Sequence, residues 1–453
     1  MRGGRLVTVV LLFGVLMSAA QAGAAPQPVV GGKAPASAFA ATDECGCHAS
    51  LVEQWSRSMH AQALTDPLFL SKLGEANAAT NGALDTFCKT CHAPAAAMAG
   101  ELKKEKRSAG LGDGIGCSYC HQVTGLAGGK TANTSHMVDA DGTMRAHLED
   151  PKAPHPAARS AFHDSAEFCG ACHNVDHPIN GMHLEATYSE WKKSPWAKEG
   201  VTCQDCHMSV APGRVGPVTG VAAAGGPRRE NIYAMTFTGA QVALGDPVAA
   251  TELLKSAAKV ELDAPTVLGD GDVVTVKVTN TGAGHSLPTG LTEVREMWLE
   301  VYAETDDGAK EALGQRRFVT VLQDAKGKAP VELWDATKIA SDDRIPARGS
   351  VTEEYPVKLP AGADSATVKA VLRYRSASDE FAAKAGVENP VTDMAAAESE
   401  IFASEEARLA AVREDATQGA FTDGMALAFA LIGLAACFAL IVLFAGWTRR
   451  RAA

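Results

Sequence analysis

Residues 88–92 read CKTCH, and the same pattern of Cys, two variable residues, Cys and His recurs at 117–121, 169–173 and 203–207. In a chain with this content of Cys and His, chance would give roughly 0.01 such matches. The pattern is that of a c-type haem site, in which two thiols attach one porphyrin and the His binds its iron. Residues i and i+3 lie on one face of a helix, so both thiols reach the same porphyrin. The predicted thioether residues are Cys88, Cys91, Cys117, Cys120, Cys169, Cys172, Cys203 and Cys206, and the predicted iron ligands are His92, His121, His173 and His207.

Other uses of paired cysteines explain the pattern less well. Disulfides are favoured in an exported protein, and CxxC pairs can hold zinc or act in thiol exchange. None of these uses requires a His directly after every pair. We therefore predict haem c at all four positions.

A fifth site is shortened by one residue. Residues 43–49 read DECGCHA, in which Cys47 and His48 keep the usual relation but Cys45 is displaced. Thiols at i and i+2 point to different faces of a helix. Attachment through Cys47 alone, with His48 on the iron, needs no distortion, whereas attachment through both thiols needs local unwinding. The alternative is a haem-free loop with a strained Cys45–Cys47 disulfide. We predict five haems in total, or four if the shortened motif binds none.

Haem also explains how this part of the chain can fold. Residues 43–208 contain ten of the eleven cysteines and twelve of the thirteen histidines. Their apolar periodicity is weak, so side chains alone would supply little core. Porphyrins are large apolar bodies that can fill the interior instead. We expect this domain to be unfolded without its cofactor.

The remaining chain has a different composition and pattern. The segments DVVTVKVTN (272–280), VREMWLEVYAE (294–304) and ATVKAVLRYR (366–375) are rich in β-branched and aromatic residues and are bounded by turn residues, which predicts an antiparallel sandwich. The predicted fold is a mostly α-helical and irregular multihaem domain, an all-β sandwich-like domain and one C-terminal transmembrane helix. The predicted divisions are a linker at 23–42, the haem domain at 43–208, a linker at 209–246, a helix plus sandwich at 247–375, and a helical stalk at 376–424.

Both ends of the chain carry targeting signals. Two arginines precede an apolar run of about 12 residues and a small-residue cleavage site, which predicts a signal peptide at 1–22. Residues 425–446 hold no charge and are long enough to span a bilayer. Arginines in the following tail, 447–453, predict a cytoplasmic C-terminus. We expect a single-pass protein of the inner membrane with most of its chain outside.

The charge of the protein limits its partners. The formal net charge is −11, and no basic run lies outside the extreme C-terminus. Nucleic acid binding requires concentrated positive charge, so nucleic acid is not an expected partner.

Several segments resemble a known family. CHASLVEQWSRSMHA (47–61), EFCGACHNV (167–175) and YSEWKKSPWAKEGVTCQDCHM (188–208) resemble multihaem c-type cytochromes related to the tetrahaem cytochromes of ammonia oxidation and to hydroxylamine oxidoreductases. Residues 280–308 resemble the β domain that often follows such haem clusters.

In that family each motif His shares its iron with a distal His. The resemblance places His60, in SMHA, and His285, in GAGHSLPTG, in this role. A Met, Met235, stands where related chains often have a His, which offers His/Met ligation of one iron as an alternative to core packing. The further distal candidates are His163, which lies six residues before Cys169, then His136, His177 and His183, with His147 and His155 ranked below them.

These features favour electron transfer. Five motif histidines leave eight others, enough to close both faces of every iron, and an iron closed on both faces passes electrons but binds no substrate. The expected partners are soluble redox proteins or a quinol-linked membrane complex. The alternative is an oxidoreductase acting on a small nitrogen or sulfur compound, which requires one open iron. A binding module in the sandwich would leave the haems unexplained.

Overall fold

A computed structural model describes residues 26–211 and 213–414 of the chain. The predicted signal peptide (1–22) and transmembrane helix (425–446) lie outside this part. Among the residues that the structure describes, no helix is long and apolar enough to cross a membrane.

The N-terminal part consists of short helices and small sheets. Its longest helix, α3 (Pro67–Thr80), begins where the Asp66 side chain accepts a hydrogen bond from the Leu68 amide, and it ends at Asn81 in the left-handed conformation. The other helices are α1 (Ala49–Ser56), α2 (Met59–Gln62), α4 (Asp85–His92), α5 (Pro94–Met98), α6 (Cys117–Cys120), α7 (Ala166–Gly170), α8 (Thr187–Lys193), α9 (Pro195–Lys198) and α10 (Cys203–His207). The strands are β1 (Gln27–Pro28), β2 (Val123–Leu126), β3 (His136–Val138), β4 (Met144–Ala146), β5 (Ala157–Arg159), β6 (Val175–Asp176), β7 (His183–Glu185), β8 (Val218–Val221) and β9 (Arg228–Ile232).

Each complete CxxCH motif forms a helical turn, which places both of its cysteines on one side. The motifs lie in α4, α6, α7 and α10, or start there and end directly after them. In the shortened motif, Gly46–His48 form a 3₁₀ turn that leads into α1.

The two segments that the sequence suggests as linkers are packed against the N-terminal domain. Val29 and Phe39, in the predicted linker 23–42, are each 2 % exposed and join its apolar cluster, and β1 pairs with β3. The second segment, 209–246, contains the β8–β9 hairpin. Composition misses this because single apolar residues in a Gly- and Pro-rich segment show no periodicity.

The C-terminal part is a pair of antiparallel sheets that share one core. One sheet has the strand order β10-β11-β16 and the other β13-β12-β17-β18. Alternate residues of β12, including Leu299 and Val301, are fully buried. Burial of a Leu or Val side chain stabilises the fold by about 1.5–3 kcal/mol. The prediction of a helical domain followed by β-sheets is confirmed. The elements are α11 (Pro247–Ala257), α12 (Asp379–Ala385), β10 (Ala258–Asp263), β11 (Val273–Asn280), β12 (Glu296–Glu304), β13 (Lys310–Arg317), β14 (Thr320–Gln323), β15 (Lys338–Asp342), β16 (Ser350–Pro356), β17 (Ser365–Arg375) and β18 (Thr392–Phe402).

The predicted helical stalk at 376–424 differs from the structure. Only the short helix α12 and residues 405–414 are helical there, and β18 lies between them. Strand β18 pairs with β17 over ten residue pairs. The Ala- and Glu-rich composition favours a helix, but pairing with a long buried strand outweighs local propensity. Residues 415–424 lie outside the described part.

Candidate haem sites

The five motif histidines share one feature: Nδ1 of each ring lies against an acceptor oxygen. A carbonyl or carboxylate oxygen can only accept a hydrogen bond, so Nδ1 donates, and in the neutral imidazole Nε2 is then left without a proton. That is the tautomer and orientation a metal-binding His requires. The Nδ1 partners are Ala222 O for His48 (2.8 Å), Ala63 O for His92 (2.6 Å), Arg145 O for His121 (2.7 Å), Glu185 Oε1 for His173 (3.3 Å) and Thr238 O for His207 (2.7 Å).

The acceptors come from segments remote in sequence. Ala222 and Thr238 both lie in residues 209–246, and Ala222 is 174 residues from His48. The segment interpreted as a linker therefore orients two of the five motif histidines.

Four of the five motif histidines face a second histidine ring. The ring centroids are 5.9 Å apart for His121 and His163, 6.2 Å for His173 and His60, 6.2 Å for His207 and His285, and 6.4 Å for His48 and His155. Two imidazoles on one iron, with bonds of about 2 Å and ring centres about 1.1 Å further out, give centroids about 6.2 Å apart. The spacing of all four pairs fits an iron between the rings.

His163 provides a second indication that these residues fit a haem iron. Its Nδ1 is closed to solvent and has no hydrogen-bond partner among the described residues. A buried nitrogen without a partner is rare in native structures. An iron bound between His163 and His121 would account for it.

His92 is arranged differently. Its ring stacks on Phe69 with the centroids 3.6 Å apart and the planes 10° from parallel. No ring contact in the described part of the chain brings a second histidine to it. The sequence contains enough histidines to give every iron a second histidine ligand. Among the described residues, however, none lies opposite His92.

The remaining histidines have hydrogen-bond partners elsewhere. Buried His136 is engaged at both nitrogens, by the Tyr119 hydroxyl (2.9 Å) and the Phe168 carbonyl (2.8 Å). The structure therefore does not bring the distal candidates His136, His177 and His183 to a motif histidine. The partners are Trp334 O (3.3 Å) for His177, Asp176 Oδ1 (2.7 Å) for His183 and Asn231 O (2.6 Å) for His147.

His155 ranks among the weaker distal candidates in the sequence, but the structure brings its ring to that of His48. It lies in a Pro-rich exposed loop, at APHPA, without a helix or glycine pattern around it. No signal in the sequence distinguishes it from a surface histidine, because only the tertiary fold brings it to His48.

Burial keeps most of these imidazoles neutral, which is the form that binds a metal. Burial, together with neighbouring histidines, lowers the pKa of His60 and of His163 to about 3, and that of His207 to about 4. For His173 burial also acts to lower the pKa, but the hydrogen bond and charge of Glu185 outweigh it and the pKa is raised.

Cysteines of different motifs are neighbours. The Cys45 side chain lies within hydrogen-bond reach of Cys117, Cys91 of Cys172, and Cys203 of Cys169. All ten described cysteines are free, and Cys47 is exposed, so the alternative Cys45–Cys47 disulfide is not formed.

Comparison with known proteins gives a family match and a fold match. Residues 44–122 match the family described as "Cytochrome c554 and c-prime". The fold is similar to that of a penta-heme cytochrome c552 from Thermochromatium tepidum, with 21 % identity, a TM-score of 0.58, and coverage of 83 % of this chain and 100 % of that one. A putative superoxide reductase from Thermotoga maritima, 17 % identical, matches 34 % of this chain and 90 % of its own with a TM-score of 0.19, too low to support an inference. No curated protein matches the chain.

Proposed function

We propose that this chain is a multihaem c-type cytochrome that holds five haems c and transfers electrons between redox partners outside the inner membrane. The observation that supports this most strongly is the set of four facing histidine pairs. The haem thioethers would be formed by the cysteines of the four complete motifs and by Cys47. The proposed ligand pairs are His48 with His155, His121 with His163, His173 with His60, and His207 with His285, and His92 is the proposed single ligand of the fifth iron.

Haem c supplies the one-electron redox chemistry, and the chain supplies its environment. With one histidine bound on each face, four of the irons would have no free position for a substrate. Neighbouring thiols from different motifs would bring their porphyrin edges together, because each thiol would be bonded to its own porphyrin. Closed irons at short separation suit electron transfer rather than substrate binding.

The partners and location are inferred from the sequence. Export by residues 1–22 and anchoring by residues 425–446 would place the haem domain outside the membrane. A quinol-linked membrane complex or a soluble redox protein would then exchange electrons with it. Because Cys47 is exposed, the first haem is the proposed site of that exchange.

One observation favours a second function. His92 faces no second histidine among the described residues, so its iron is proposed to be open on one face. An open iron is what a reductase or oxidase of a small nitrogen or sulfur compound requires. We therefore retain that activity as an alternative centred on the His92 haem.

Haem counting and ligand binding test both functions. The intact mass of protein from a haem-maturing host should correspond to five haems, and the reduced protein should bind one carbon monoxide per chain. Three or fewer haems, or carbon monoxide on most irons, would refute the electron-transfer proposal. The absence of any carbon monoxide binding would remove the alternative function. Replacement of His163 by Ala should add a second carbon monoxide site, which calibrates the assay.

A further inference from the structure

We infer that Glu190 is the positioning residue for His285: its carboxylate holds the His285 loop of the β domain against the haem domain, so that His285 faces His207. This rests on the proposed ligand pair His207 and His285. The hydrogen bonds of the two rings go to Ser286 O and Thr238 O and not to Glu190, so the role of Glu190 would be to place a ligand.

Glu190 contacts the loop on the C-terminal side of His285 at two points. Its Oε2 accepts hydrogen bonds from the backbone amide of Ser286 (3.1 Å) and from the hydroxyl of Thr289 (2.9 Å). Ser286 is the residue directly after the proposed ligand. A second cross-domain contact, between the hydroxyls of Thr187 and Thr289 (2.9 Å), starts from the same helix α8.

The other carboxylate oxygen is held by an arginine of the β domain. Arg344 Nη1 donates to Glu190 Oε1 at 2.5 Å, and Arg344 also pairs with Asp342 (2.8 Å). The side chains of Glu190 and Arg344 are only 13 % and 9 % exposed. Charge-assisted hydrogen bonds are roughly twice as strong as neutral ones, and exclusion of water strengthens them further.

Contacts within the β domain fix the shape of the loop but not its place against the haem domain. Asn280 Nδ2 donates to the carbonyl of His285 (2.8 Å), and Leu287 exchanges two backbone hydrogen bonds with Ile345. Both partners belong to the β domain. The contacts of Glu190, together with the hydrogen bond between Thr187 and Thr289, therefore relate the loop to helix α8.

The space around the loop supports a close approach to α8. A Cβ atom added at Gly284 would lie 3.3 Å from Cδ1 of Trp191, the residue next to Glu190. A glycine here lets the backbone of the loop approach the helix. Small displacements of the loop would then change the distance between His285 and the iron.

A second ion pair across the same interface provides a matched control. Glu199 binds Arg348 through both oxygens, at 2.5 and 2.6 Å. Its side chain is 46 % exposed, and neither oxygen contacts the loop of His285. If any cross-domain ion pair were sufficient, removing Glu199 or Glu190 would have the same effect on the iron.

The test uses holoprotein variants and two readouts of the iron. Spin state is measured by electron paramagnetic resonance, and carbon monoxide binding is measured after reduction. His285→Ala should give one more high-spin iron and one more carbon monoxide site than wild type. Glu190→Ala should raise the ratio of detached to bound His285 roughly tenfold or more, because hydrogen bonds to a charged group are lost. Glu190→Gln should give a smaller rise, and Glu199→Ala should match wild type.

The outcomes separate this inference from the ligand assignment. Suppose that His285→Ala opens an iron but the spectra of Glu190→Ala match those of Glu199→Ala. Glu190 then does not position the ligand, and the pairing of His207 with His285 stands. If His285→Ala leaves the spectra unchanged, the proposed pair itself is refuted. Should Glu190→Ala fail to accumulate, Thr289→Val removes one of its contacts and should still raise the high-spin fraction; an unchanged fraction would overturn the inference.

Discussion

Replacement of Glu293 by Gln should stabilise the protein at alkaline pH and leave it unchanged at acid pH. Glu293 follows the His285 loop and precedes β12, and its Oε1 is closed to solvent without a hydrogen-bond partner in the described part of the chain. Burial raises its pKa to about 7, and the charged groups around it are Lys72, Glu332 and Arg295.

The size and sign of the effect follow from this pKa. Each pKa unit corresponds to about 1.36 kcal/mol, so the difference between 4.5 and about 7 is worth at most about 3.4 kcal/mol. A folded-state pKa raised above the unfolded value contributes stability that is fully present below pH 4.5 and lost as the pH rises through 7. Above pH 7 the folded protein therefore bears the cost of an ionised, buried carboxylate, which a neutral glutamine avoids.

Thermal or denaturant unfolding at pH 5 and pH 8 measures this effect. Glu293→Gln should lie within about 1 kcal/mol of wild type at pH 5 and gain up to about 3 kcal/mol at pH 8, or several degrees in Tm. Glu354→Gln, at an exposed position of β16, is the control and should show no such difference between the two pH values. An equal change at both pH values, or a loss at pH 8, would show that Glu293 is not a buried neutral acid.

Three further predictions concern the haem domain and the membrane anchor. Gly170→Ala should destabilise the protein by about 1–3 kcal/mol in thermal unfolding, because the added Cβ would lie 2.5 Å from Cγ of Tyr188; an unchanged Tm would contradict this packing. Cys47→Ala should lose the first haem and Cys45→Ala should keep it, as judged by intact mass, and equal loss would show that both sulfurs attach it. Truncation before Met425 should release a soluble red protein, and sedimentation of that form with membranes would show that another segment anchors the chain.

The features that the sequence predicts well are local. The geometry of a CxxCH motif can be predicted from the motif alone. Three consecutive peptide units determine whether its two thiols can both bond to one porphyrin. The alternation in residues 294–304 likewise predicts β12, whose two faces differ in burial along its whole length. Both signals lie inside a single element, so no knowledge of the tertiary fold is needed to read them.

The distal side of the haem sites depends on contacts that the sequence does not encode locally. His285 stands out by its isolation among glycines, and the structure brings it to His207. His155 has no such signal and nevertheless faces His48, whereas His136, which lies inside the histidine-rich region, is hydrogen-bonded to a tyrosine and a backbone carbonyl. Proximity in the chain is therefore a poor guide to which histidine faces which.

The strand at 392–402 shows a different limit. Its Ala- and Glu-rich sequence favours a helix in isolation, yet buried Met394 and Ile401 join the sandwich core. Pairing with β17 fixes the strand, and that partner is known only once the sheet is assembled.

The order of the haem sites in space differs from their order in the chain, and this bears on the proposed function. Cys45 of the first site adjoins Cys117 of the third, and Cys120 of the third is an electrostatic neighbour of Cys172 of the fourth. The fourth site in turn adjoins the second through Cys91 and the fifth through Cys203. Electrons entering at the exposed first site would thus reach the fourth before a branch. One arm ends at the closed iron that the β domain would complete with His285, and the other at His92. The two candidate functions would therefore share the path as far as the fourth site. They would differ in whether electrons leave through the arm that ends at His207 and His285 or through the arm that ends at His92.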